Sequence, residues 1–210
     1  MISILIADDH PIIRQGIRQI LADLPGDTTI EEAGSANELL SKIGNTGFDV
    51  IILDISMPGR SGLETLTDIK AKYPSIPVLI LSMHPEEQYA FRALKSGASG
   101  YLTKGSAPLE LIQAVQKVLS GGRYITSSLA EKMADNLLDE SDKPLHQQLS
   151  NREFEVLCKI AEGKSVNIIA DELFISEKTV STYRSRILEK LNMSSNTELI
   201  RYALKEGLIE

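Results

Sequence analysis

From residue 2 to about residue 121, two hydrophobic patterns alternate along the chain. Short, β-rich apolar runs fall at Ile2–Ala7, 29–33, Val50–Asp54, Val78–Ser82 and Gly100–Thr103. Longer segments follow them at 11–24, 36–44, Gly62–Lys72, 86–96 and 109–119. The last four carry apolar residues at helical spacing, as in Ala90, Leu94 and Ala98, or Leu111, Ala114, Val115 and Val118. This alternation predicts a parallel sheet with helices on both faces. Five strands in this span suit a flavodoxin-like, doubly wound α/β domain, whose ligands gather at the carboxyl ends of the strands.

Beyond Gly121-Gly122, which stops the fifth helix, the strand pattern disappears. One more short helix fits Ser127–Leu138, and the polar, aperiodic stretch 139–148 reads as linker. From Ser150 the pattern is purely helical. Ser150 and Glu153 form a capping box that opens a helix with Phe154, Leu157, Ile160 and Ala161 inward. A second helix spans 165–173. A third starts at Ser176 with Val180, Tyr183, Ile187 and Leu191 inward, and a fourth runs from about 195 to 205. Four short helices with a tight turn predict an all-α helix-turn-helix domain. We therefore divide the chain into 1–121, a linker at 122–147 with a possible short helix, and 148–210.

Composition narrows the setting. No run of ~18 apolar residues exists, so no membrane span and no membrane partner are expected. The amino terminus lacks a secretory pattern, and Cys158 is the single cysteine, placed to pack in a helix; we expect a cytoplasmic protein. The net charge of −7 argues against general nucleic-acid affinity. Its distribution is uneven: 1–147 carries 13 Lys+Arg against 19 Asp+Glu, whereas 148–210 carries 9 against 10. The second part can bind DNA only through a local patch.

Two features carry chemistry. Asp8 and Asp9 follow the first strand and Asp54 ends the third; in a doubly wound sheet these strands are neighbours, so the carboxylates converge. Such an oxygen-rich anionic set suits a hard divalent cation, Mg²⁺ first among them. One carboxylate can also attack phosphorus. Lys104, past the fifth strand, can neutralise phosphoryl oxygens, and Ser82, ending the fourth, can donate a hydrogen bond. In the third C-terminal helix, Lys178, Ser181, Thr182 and Ser185 form one polar stripe opposite the apolar one. Small hydroxyl side chains let a helix sit deep in a major groove, while Lys178, Arg184, Arg186 and Lys190 can reach phosphates.

The stretches "ILIADDHP", "VIILDISMPGRSGLE", "LILSMH" and "GASGYLTKGS" resemble the receiver domain of two-component response regulators. The stretch "LSNREFEVLCKIAEGKSVNIIADELFISEKTVSTYRSRILEKL" is similar to the LuxR/FixJ-type helix-turn-helix, and together they match the NarL/FixJ subfamily. The resemblance implies that Asp54 is the phosphoacceptor and that Asp8, Asp9, Asp54 and the backbone carbonyl of Ser56 hold Mg²⁺. It implies that Ser82 and Lys104 contact the phosphoryl group and that Tyr101, read otherwise as a core aromatic, reorients when Ser82 moves. Pro58 and Gly62 would shape the loop after Asp54. Met83 stands where many receivers have a small residue and would partly cover the phosphoryl group. On the helix-turn-helix it implies DNA contacts through Lys178, Thr179, Ser181, Thr182, Tyr183, Ser185, Arg186 and Lys190, with Thr179 donating to a phosphate. Tyr183 stands where many relatives have histidine. The implied partners are a sensor histidine kinase, double-stranded promoter DNA, a second copy of the chain on DNA, and RNA polymerase.

Two other readings stay open. An aspartyl-phosphate phosphatase expects an acid/base aspartate two residues after the nucleophile, where this chain has Ser56. A phosphorylation-independent, small-molecule-sensing LuxR-type regulator expects an enclosed apolar pocket in the first part of the chain instead of an acidic site. Apart from assisting its own phosphorylation and dephosphorylation, the protein is not expected to be an enzyme.

Overall fold

The computed structural model describes residues 1–44, 47–138 and 144–209, with the backbone alone at 87, 132 and 134–138. It divides into two compact units, Met1–Leu129 and Ala130–Glu210.

In the first unit, β1 (Ile2–Ala7), β2 (Thr28–Ala33), β3 (Val50–Asp54), β4 (Val78–Ser82) and β5 (Gly100–Thr103) form one parallel sheet in the order β2-β1-β3-β4-β5. Every residue of β3 and β4 is buried, as continuous Val/Ile/Leu runs require when helices cover both faces. Helices α1 (Pro11–Leu21) and α5 (Ala107–Leu119) close one face over Ile4, Ile6, Val50, Ile52, Leu79 and Leu81. Helices α2 (Ala36–Ile43), α3 (Gly62–Lys72) and α4 (Glu86–Lys95) pack on the sheet as well. Each fully buried Leu or Ile contributes about 1.5–3 kcal/mol of hydrophobic free energy, so these faces hold the unit together.

Helix ends depart from the periodic reading for local reasons. Helix α1 stops at Leu21 and not at 24, because Pro25 disfavours helical backbone at Leu24. Leu24 stays buried on a turn closed by its N–H and the Leu21 carbonyl. Helix α5 starts at Ala107, two residues early, since Pro108 in the first turn sacrifices no helical hydrogen bond. Strand β2 begins at Thr28, one residue early, and lies on the sheet edge, where only Ala33 of its six residues is buried. Helix α6 spans Ser127–Leu138. Of the stretch read as linker, 139–143 lies outside the described residues; Leu145–Gln148 forms a 3-10 turn instead of aperiodic chain, started by Pro144 and tied by His146, whose N–H donates to the Tyr202 hydroxyl at 3.0 Å.

The second unit contains α7 (Asn151–Ala161), α8 (Val166–Leu173), α9 (Glu177–Leu191) and α10 (Asn196–Lys205). The Ser150–Glu153 capping box is formed in both directions and starts α7. Between α8 and α9 the chain turns through Phe174 in left-handed backbone, φ 53°. Ser176 caps α9, its Oγ accepting the Thr179 N–H. Val180, Ile187 and Leu191 are buried as the pattern predicts, but Tyr183 is only half-buried, because it sits at the border between the apolar and polar faces. Among the described residues no helix is long and apolar enough to cross a membrane.

Candidate phosphoacceptor pocket and nucleic-acid interface

Strand register builds the first site. Ala7 pairs with Leu53, so Asp8 emerges beside Asp54. Asp54 pairs with Leu81 and Ser82 with Thr103, which brings Ser82 and Lys104 to the same end of the sheet. The strand order reverses between β1 and β3, so the four groups meet at a topological switch point. Gly62 lets the chain fold back over this end. A Cβ there would lie 2.1 Å from the Asp54 carbonyl oxygen, and its N–H donates to the Ile55 carbonyl at 2.8 Å.

Asp8 and Asp54 are each 1% exposed. Lys104 bridges them, its Nζ 2.7 Å from Asp8 Oδ2 and 2.7 Å from Asp54 Oδ2. Burial pushes the Asp54 carboxyl above the usual carboxylate range, and the Asp8 charge adds to this against the pull of Lys104. Burial alone would lower the Lys104 ammonium, but the two carboxylates outweigh it and hold it above its ordinary value. Asp54 Oδ1 accepts the Ser56 N–H at 3.1 Å, and Asp8 Oδ1 accepts the His10 N–H at 2.8 Å.

The donor set fits a hard divalent cation. Asp8, Asp9, His10 and Asp54 each offer a ligand atom, all within 4.8 Å of one another. Asp8 Oδ2 and Asp9 Oδ1 are buried and receive no well-directed hydrogen bond among the described residues, although the Lys104 ammonium and the His10 ring lie close. Buried carboxylate oxygens without directed donors are what an oxygen-seeking ion satisfies.

Ser82 is fully buried, and its Oγ accepts the His84 N–H at 3.1 Å. The buried Tyr101 donates its hydroxyl to the His84 carbonyl at 2.8 Å. Ser82, His84 and Tyr101 thus form one chain of contacts leading away from Asp54. Met83, expected to partly cover the phosphoryl group, is 73% exposed. Sequence reasoning missed two residues. His10 contacts Asp9 Oδ1 at 2.7 Å, and His84 Nε2 lies 3.3 Å from Ser56 Oγ. Their positions next to Asp9 and two residues after Ser82 were the available signals for them.

On α9, Lys178, Ser181, Thr182, Ser185 and Arg186 are exposed, whereas Thr179 and Tyr183 are half-buried. Thr182 Oγ1 donates to the Lys178 carbonyl at 2.9 Å and Ser185 Oγ to the Ser181 carbonyl at 3.0 Å. Their protons are used within the helix, so their oxygens face outward as acceptors. Thr179 Oγ1 shares a 2.7 Å hydrogen bond with the capping Ser176 hydroxyl. Lys190 is engaged too, donating to Glu153 Oε2 at 2.7 Å. Burial pushes Glu153 upward, yet Lys190 and the Ser150 bonds hold its carboxyl below the usual range.

Two family profiles match the chain: "Response regulator receiver domain" over residues 4–116, and "Bacterial regulatory proteins, luxR family" over residues 147–203. The chain is 37% identical over 209 residues to the response regulator UvrY of Escherichia coli K12, spanning 99% of this chain and 96% of that protein. It is 37% identical over 210 residues to the response regulator GacA of Pseudomonas protegens, spanning 100% and 99%. The structure of RcsB from Salmonella enterica serovar Typhimurium, bound to promoter rprA in the presence of the phosphomimetic BeF3−, is similar at a TM-score of 0.66 and 28% identity, spanning 96% of this chain and 98% of that one.

Proposed function

The chain belongs to the NarL/FixJ-type response regulators, a receiver domain joined to a LuxR-type DNA-binding domain, and from that premise we propose that Asp54 accepts a phosphoryl group from a sensor histidine kinase and thereby controls promoter binding. We assign 1–121 to phosphoryl acceptance, 122–147 to the linker and 148–210 to DNA binding. The single observation that carries this reading is the buried Asp54 carboxylate, bridged to Asp8 through Lys104 at the switch point of the sheet.

In the proposed reaction a carboxylate oxygen of Asp54 attacks phosphorus as the bond to the kinase's histidine nitrogen breaks, leaving an acyl phosphate. Asp8, Asp9, Asp54 and the Ser56 carbonyl would hold Mg²⁺, which when bound supplies positive charge to the phosphoryl oxygens. Lys104 exchanges a carboxylate for a phosphoryl oxygen. Ser82 Oγ, which among the described residues accepts the His84 N–H and donates to none, can turn its proton to a phosphoryl oxygen. Pulling Ser82 toward the phosphoryl group displaces His84 and withdraws the carbonyl that holds Tyr101.

For DNA, α9 is the proposed reading helix. Ser181, Thr182 and Ser185 would accept hydrogen bonds from base edges, Lys178, Thr179 and Arg186 would reach phosphates, and Tyr183 would lie at the groove edge. Lys190 would reach a phosphate only by leaving Glu153. Binding as a homodimer to double-stranded promoter DNA is supported by the likeness to RcsB, which occurs as dimers on DNA. RNA polymerase is the further partner a transcription regulator would engage, and the cytoplasm is the compartment in which it would act. The test is acid-labile labelling of the full chain by a small phosphodonor with and without Mg²⁺. We expect stable, Mg²⁺-dependent labelling that Asp54→Asn abolishes. Full labelling of that variant refutes the assignment, and rapid phosphate release from the native chain points to a phosphatase instead.

A further inference from the structure

The end of the sheet opposite Asp54 carries a second site. A cleft of about 530 Å³ opens there, floored by the residues that lead into three strands: Asp49 before β3, Pro77 before β4 and Ser99 before β5. Its volume lies in the range of small-ligand pockets. Two cations face into it from different elements, Lys70 from the last turn of α3 and Arg123 from the segment after α5.

Lys70 is held through its side chain and Arg123 through its flanking backbone. The Lys70 stem lies against Gly97, where an added Cβ would come within 3.0 Å of Lys70 Cγ, and its Nζ donates to the Ile76 carbonyl at 2.6 Å. The backbone around Arg123 is pinned by Gly122 N–H to the Lys117 carbonyl at 3.0 Å and by Tyr124 N–H to the Ser99 carbonyl at 2.8 Å. Gly100 makes room for that segment, since a Cβ there would lie 2.7 Å from the Tyr124 carbonyl oxygen. Neither cation has a carboxylate partner among the described residues. The nearby Asp49 carboxylate accepts the Ser3 N–H at 2.8 Å and pairs with neither. Burial and the charge of Arg123 together hold the Lys70 ammonium below its ordinary value. Two like charges in one cleft repel each other, and an anion between them removes the repulsion while gaining two charge-assisted hydrogen bonds.

We propose that this cleft binds a small organic anion, its phosphate or carboxylate head between Lys70 and Arg123 and its apolar body against Pro74, Pro77 and Leu119. Ser75 and Ser99 also line the cleft, and their hydroxyls would serve the same head. The site is separate from the acidic pocket and does not depend on phosphorylation of Asp54.

The test is amide NMR of the full chain in Mg²⁺-free buffer, titrated in parallel with inorganic phosphate, phenyl phosphate and benzoate. Saturable shifts are expected around Lys70, Ser75, Ser99 and Arg123, with phenyl phosphate binding more tightly than inorganic phosphate. Saturation by phenyl phosphate or by benzoate identifies which head the site prefers. Lys70→Gln combined with Arg123→Gln is expected to weaken binding about tenfold or more, while Lys72→Gln, an exposed lysine on the same helix, leaves it unchanged. Arg123→Gln alone alters an exposed side chain and is expected to weaken binding in a folded protein. The proposal is overturned if no ligand saturates, if the double variant binds as the native chain does, or if the shifts centre on Asp8 and Asp54. Lys70 would then serve only to clip the turn before β4.

Discussion

Gly62→Ala alters a residue that touches no substrate, yet it should cripple phosphorylation. The added Cβ would sit 2.1 Å from the Asp54 carbonyl oxygen, 2.6 Å from Ile55 Cα and 2.8 Å from the Asp54 carbonyl carbon. All three are backbone atoms of the strand end that carries the acceptor, so no side chain can swing aside. Restoring ordinary contact near 3.5 Å requires this junction to open by about 1 Å or more. The hydrogen bond from Gly62 N–H to the Ile55 carbonyl opposes that opening, so the strain is divided between lost stability and a displaced carboxylate. Overpacking of this kind costs roughly 1–3 kcal/mol. Misplacing a reacting group by about 1 Å costs on the order of 10²-fold in rate. The assay is the labelling rate with a small phosphodonor at saturating Mg²⁺, run well below the variant's melting temperature. A rate within about threefold of native, with unchanged Tm, refutes the claim that this close approach positions Asp54.

Asp54→Asn should raise Tm in chelator at neutral pH. The folded chain holds this carboxyl above its unfolded value of 3.8, so the stability of its neutral form is present below 3.8 and lost as pH rises through the folded value. An amide stays neutral throughout, so the gain should vanish in acid; a gain independent of pH contradicts the burial argument. On α9, Thr182→Ala should change base preference by roughly 1–3 kcal/mol at one position. Arg186→Ala should weaken all sequences together and reduce the salt slope by about one. Operator-variant binding across a salt series separates the two, and exchanged behaviour refutes the sorting of contacts.

The architecture was legible where a pattern repeats. Strand runs such as Val50–Asp54 and Val78–Ser82 declare their own ends, and the topology of doubly wound sheets then brings those ends together. This is why the sequence alone places Asp8, Asp54, Ser82 and Lys104 at one end of the sheet. Features set by a single backbone or rotamer choice were not legible. His84 couples Ser82 to Tyr101 through its main chain, a role that its side-chain identity does not announce. The left-handed Phe174 is set by the tight turn from α8 into α9, and the Lys190–Glu153 pair by how α7 and α9 pack, not by the periodicity of any one helix. Tyr101 reads as a core aromatic from its neighbours and is indeed buried, but its hydroxyl partner lies 17 residues away in sequence.

The central claim is that chemistry at Asp54 governs DNA binding by the second unit. The most direct measurement follows molecular mass and promoter affinity of the full chain, before and after labelling by a small phosphodonor in Mg²⁺. The account predicts that labelling increases affinity, with a rise in mass toward the dimer, and that Asp54→Asn responds in neither. A tenfold gain corresponds to about 1.4 kcal/mol of differential stabilisation, within reach of the charge-assisted contacts that Ser82 and Lys104 can make. Labelling at Asp54 that leaves both mass and affinity unchanged would contradict it.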